Sequence, residues 1–220
     1  MKTASSQSGN VLLYILIAIV LIGFLTIALR DNGGTNASVD NEKASSLATQ
    51  IIKYGGELQS GVDTLLKNGV SESDLRFAYP NEFPDYGTIT TTPQFQIFSQ
   101  QGANVTYRSP PNNSTTIAKT YRILGNNAMP QAGSAKADLV MVLTDVTDGV
   151  CDAINKQVGI SAKPSLTTCG TPTLYGINNL FKSSPDAIDP AAFTTLPALQ
   201  FCAYCADQTR NIYFYTLLAR

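Results

Sequence analysis

The chain has 220 residues, 44% of them hydrophobic and 14% charged. That is enough for one membrane anchor and one exported domain of about 190 residues with its own core, and a second full domain is not expected. Fifteen basic against sixteen acidic residues leave a formal charge of −1 with no basic run, which excludes the electrostatic footprint of nucleic-acid binding. Histidine is absent altogether, which excludes Ser-His-Asp and Cys-His catalysis and every metal site built on imidazole.

A polar leader, residues 1–10, precedes Val11–Leu29, nineteen residues without a charge. At 1.5 Å of rise per residue this stretch spans roughly 28 Å, close to the hydrocarbon thickness of a bilayer. It is too long for the apolar part of a secretory peptide and lacks a small-residue cleavage site. It also has no polar face, so a helix buried in a soluble core fits it badly. The expectation is a single-pass inner-membrane protein in contact with membrane lipid, its N-terminus cytoplasmic and its main domain periplasmic.

Residues 30–36 form a joint around Gly33 and Gly34, where the chain bends or breaks. The exported domain, 37–220, opens on an amphipathic helix. Ala44, Leu47, Ile51, Tyr54, Leu58, Val62 and Leu65 recur every three or four residues, while Glu42, Lys43, Lys53 and Asp63 fall largely off that stripe. Gly55 and Gly56 weaken the helix, and Asn68-Gly69 ends it. The stripe covers the domain's own sheet, or another face of the helix packs against neighbouring copies.

From Ser71 to about Gly133 the composition shifts to Thr, Tyr, Phe, Gln, Asn and Pro. Gln94–Phe98, Asn104–Tyr107 and Lys119–Leu124 read as antiparallel strands between turn-rich connections at 79–87 and 109–113. A third helix is expected from an N-cap at Ser134 to Gly159, burying Leu139, Val142, Leu143, Val146, Val150 and Ile154. Asp138, Asp145, Asp148 and Asp152 then form its solvated face, since no Gly-turned calcium loop accompanies them. The last third is loop-rich, broken by Pro164, Pro172, Pro185, Pro190 and Pro197, and Asn211–Leu218 forms a terminal strand. The fold class is therefore α+β: a transmembrane helix continuing into an amphipathic helix packed on an antiparallel sheet, with one further helix.

Four cysteines, Cys151, Cys169, Cys202 and Cys205, lie in the last third, and in an exported domain an even number reads as disulfides. Three pairings are open, of which Cys151 with Cys169 closes a short loop and is chemically simple. Two other readings of Cys202-Ala203-Tyr204-Cys205 rank lower. A C-x-x-C pair can be a redox dithiol at a helix N-terminus, which implies an envelope thiol oxidoreductase using Cys202 and Cys205, and zinc ranks below it because the spacing lacks paired knuckles. No nucleophile elbow, phosphate-cradling loop or zinc-protease motif occurs, so neither an enzyme nor a cofactor is expected.

A short polar leader ending in Gly9, an uninterrupted apolar helix, an amphipathic continuation and a sheet with late cysteines resemble a type IV pilin or type II secretion pseudopilin. The resemblance implies cleavage after Gly9, leaving Asn10 as the first mature residue. It also implies a structural or assembly subunit that packs against copies of itself, or other pilin-like subunits, through the N-terminal helix. The sequence departs from the family in having Tyr14 where the fifth mature residue is a glutamate, and in having only Lys2 as a basic leader residue. The glutamate neutralises a neighbour's N-terminal amine in an apolar core, where an unpaired charge is costly. The chain is also similar to bacterial envelope proteins that begin GNVLLYILIAIVL, a likeness that implies no activity. A membrane-tethered binding or accessory domain that forms no filament is the competing expectation.

Overall fold

The structure is a computed structural model that describes Ile15 and residues 17–20, 35–80, 83–169, 174–176 and 180–220. The chain divides into two compact units, Met1–Glu42 and Lys43–Arg220. In the first, Ile15 and residues 17–20 are helical and exposed. Most of the expected span 11–29, the leader 1–10 and most of the joint 30–36 lie outside the described residues. No helix among the described residues is long and apolar enough to cross a membrane.

The second unit is an α+β fold around one mixed sheet. Its strands are β1 (Arg122–Leu124), β3 (Leu139–Thr144), β4 (Ser165–Leu166), β6 (Gln200–Cys205) and β7 (Arg210–Leu218), in the spatial order β1-β3-β7-β6-β4. The first four in that order are antiparallel, whereas β4 runs parallel to β6, so the sheet is mixed rather than purely antiparallel as expected. A separate parallel pair joins β2 (Asn127–Ala128) to β5 (Asp186–Ala187).

Helix α1 (Thr35–Lys67) lays the expected stripe on one face of this sheet, with Ile51, Leu58, Val62 and Leu65 at most 1% exposed. Burying each such side chain stabilises the fold by about 1.5–3 kcal/mol. The helix ends as its sequence predicts. Gly69 takes φ +85°, its N–H donates to Leu66 O, and Val70 N–H donates to Leu65 O, so the last carbonyls are satisfied.

Two sequence expectations are corrected here. Leu139–Thr144 is a strand, not the first half of a helix, and α2 covers only Asp148–Gln157, with Thr147 rather than Ser134 at its N-cap. An all-apolar run satisfies a helical period as readily as a strand period. Burial on both faces decides for the strand: Leu139, Met141 and Leu143 join the core under α1, while Val140 and Val142 join a second core on the other face. Gln94–Phe98 and Asn104–Tyr107 are not strands of the sheet. They fold back on one another, Val105 N–H donating to Ile97 O and Ile97 N–H to Arg76 O.

Strand β7 occurs where expected, and both of its faces are packed. Tyr213 is buried in the α1 core, and Ile212 and Phe214 in the second core, which the loop-rich last third closes with Phe193, Ile188 and Leu166.

Candidate functional site

Strand β6 carries both cysteines of the C-x-x-C segment, and strand geometry sends them to opposite faces, because residues three apart on a strand point to opposite sides. Cys202 lies in the α1 core and is bonded to Cys151 on α2; Cys205 lies in the second core and is bonded to Cys169. The bridges are Cys151–Cys202 and Cys169–Cys205, not the short Cys151–Cys169 loop, and no cysteine is free. A helix-terminal redox dithiol is not what β6 presents.

Sequence reasoning missed the residue that completes this junction. Asn155 of α2 donates from Nδ2 to Cys202 O at 2.7 Å and accepts Cys202 N–H on Oδ1 at 2.9 Å. Its amide thus replaces a neighbouring strand at the stretch of β6 that short β4 does not reach. The only signal in the sequence is an Asn on the buried side of an amphipathic helix.

The four acidic residues around α2 are corrected in part. Asp138 is not on a solvated face but fully buried before β3, where it accepts Met129 N–H at 2.7 Å and Arg220 N–H at 2.8 Å. Burial raises its pKa, and the two donors oppose that shift. Asp145 pairs with Arg210 at 3.3 Å, while Lys163 reaches Asp148 at 2.6 Å and Asp152 at 3.6 Å. The Lys163 hydrogen bond first, then the Asn211 amide, hold the Asp148 carboxyl below the usual range. Among the described residues no three His, Cys, Asp or Glu side chains gather to hold a metal.

Arg220 is tied down in the same region. Its Nε donates to Glu72 at 2.8 Å, and its guanidinium lies 3.8 Å from the centre of the Phe181 ring. Tyr175, whose hydroxyl donates to Glu72 O at 2.6 Å, has its pKa pushed up to about 12, chiefly by burial.

The surface of the head carries an aromatic cluster and two depressions beside α1. Tyr79 stacks on Tyr107 at 3.9 Å, with Phe98 edge-on to both. Alongside α1, two adjoining depressions of about 310 and 340 Å³ share Leu199 and Gln200. Gln59 and Asp63 of α1 wall the second of them, and the Tyr215 hydroxyl donates to Gln59 across it at 2.9 Å. The expected processing residues Gly9 and Asn10 lie outside the described residues. Comparison with known protein families, with curated proteins and with solved structures found no match to this chain.

Proposed function

We propose that the protein is a pilin-like structural or assembly subunit of the bacterial cell envelope, held in the inner membrane by Val11–Leu29 with its head in the periplasm. One observation carries the reading. Ile15, Ile17, Ile19 and Val20 are helical and 46–65% exposed, within nineteen residues that contain no charge. Apolar surface of that kind, present all round a helix, calls for lipid or for the helices of neighbouring subunits. The long amphipathic α1 on a sheet and a head cross-linked twice fit an exported subunit.

The second reading, a tethered accessory domain that never assembles, is favoured by Tyr14 at the position where the family carries its glutamate. Intact mass of the protein taken from its own membrane, without reduction and with thiol alkylation, separates the two. The subunit reading expects loss of Met1 to Gly9 and no alkylated thiol. An unprocessed N-terminus overturns it in favour of the tether, and four alkylated thiols overturn the periplasmic placement common to both.

A further inference from the structure

The head, Lys43–Arg220, carries an apolar knob and a groove with an apolar lip at opposite ends of its sheet. The register fixes the two ends: Ile212 of β7 faces Thr144 at one, and Leu218 faces Leu139 at the other. At the first end Thr115 bridges Val146, and Thr116 N–H donates to Asp145 O at 2.8 Å, anchoring the loop that follows. That loop presents Ile117, 72% exposed and the most exposed large hydrophobic residue described in the head. Lys119, two residues on, is exposed and has no ion pair or hydrogen bond among the described residues.

At the opposite end lie the two depressions that share Leu199 and Gln200. Leu199 is 49% exposed and the nearby Leu196 37%, so the lip is apolar. Asp63 stands on the α1 wall, exposed and without a cation partner among the described residues. Each end thus pairs an unpartnered charge with exposed aliphatic surface, and the two charges are opposite in sign.

We propose that this groove is the docking site for a second copy of the chain, Ile117 of one head packing on Leu199 of the next and its Lys119 meeting Asp63. The contact deepens the subunit reading above and rests on it. Because the two surfaces differ, the interface is heterologous and repeats head to tail unless its rotation closes a ring. About six residues of β7 separate the ends, which sets them roughly 20 Å apart at 3.3 Å per residue, so one head uses both at once. The aliphatic contact supplies affinity, and the charge pair at its rim sets register and direction.

The test uses two differently tagged full-length copies expressed in one native membrane and a carbodiimide that joins an amine to a carboxylate without a spacer. Purification through one tag, followed by peptide mass spectrometry, is expected to recover Asp63 coupled to Lys119 between copies. Lys119→Glu or Asp63→Lys alone should lower coupling between copies by about tenfold, and Asp63→Lys with Lys119→Asp should restore it. Ile117→Asn, at an exposed position that leaves the fold intact, should lower it as well. Copies that couple without this peptide pair, or whose coupling survives the single reversals, overturn the contact and leave the subunit reading standing. Absence of any coupling between copies overturns both.

Discussion

Asp138 shows what a single buried carboxylate does in this fold. Fully buried, it accepts the backbone N–H groups of Met129 and Arg220 and so joins the approach to β3 to the end of β7. Asp138→Ala leaves both donors unmet, at about 1–3 kcal/mol each, and should lower the unfolding free energy by about 2–6 kcal/mol in urea titration. The pH response of this residue is opposite to that of Asp148 and Asp186. A raised native pKa means that Asp138 contributes most below its unfolded value near about 3.9, a contribution lost as pH rises through the native value. Asp148 and Asp186, lowered chiefly by hydrogen bonds from Lys163 and Lys182, contribute above about pH 3.9 and lose it as pH falls through their depressed native values. Melting curves between about pH 5 and 2 should therefore fall less steeply for Asp148→Asn with Asp186→Asn than for the unaltered protein. At neutral pH the same double variant should melt within a few degrees of it, because the Asp148 side chain is 82% exposed and its ion pair is screened. An undiminished acid fall-off in that variant would place the acid sensitivity elsewhere.

At the scale of the element, two adjacent glycines of α1 make opposite predictions. A Cβ on Gly55 would lie 2.5 Å from a ring carbon of Tyr215, whose hydroxyl is fixed by Gln59. Gly56 has only the Tyr215 oxygen at 3.7 Å, an ordinary contact. Gly55→Ala should destabilise the head by about 1–2 kcal/mol as the ring is displaced, and Gly56→Ala should stabilise it by about 0.5–1 kcal/mol through helix propensity. Equal effects would mean that α1 does not sit on Tyr215 as described. The sequence shows both glycines as helix weakeners and cannot show that one is required by a ring 160 residues away in β7. Legibility elsewhere follows the same division. The α1 stripe, its Gly69 stop and β7 were readable because each follows from local periodicity and turn chemistry. The β3 strand was not, because Leu139-Val140-Met141-Val142-Leu143 is apolar throughout, and only the two cores on either side of it reveal a period of two. The false strands at 94–107 had strand composition, but their backbone groups are met by one another and by Arg76 instead of by the sheet. In the candidate site, the identity of the disulfide residues was legible and their partners were not, since pairing depends on which face of β6 each cysteine occupies.

At the scale of the whole molecule, the two bridges divide the head's stability between its two cores. Cys151–Cys202 ties α2 to β6 beneath α1, and Cys169–Cys205 ties the loop-rich last third to the other face of the same strand. They close loops of 51 and 36 residues, and each restricts the unfolded chain by about 4 kcal/mol on the chain-entropy account. Together that is comparable with the 5–15 kcal/mol of net stability usual for a folded protein, so the reduced head should be marginal. At about 2–4 °C per kcal/mol for a unit of this size, Cys151→Ser with Cys202→Ser should lower Tm by about 8–16 °C, and Cys169→Ser with Cys205→Ser by a similar amount. Because Cys202 and Cys205 have no exposed surface and Cys169 only 6%, a reductant reaches the bridges only when the head opens. Reduction in native buffer should therefore be slow and should accelerate with added urea along the opening equilibrium, followed by mass after alkylation. A head that reduces rapidly without denaturant and keeps its Tm would show that the hydrophobic cores suffice alone, and would remove the physical reason for placing this domain in an oxidising compartment.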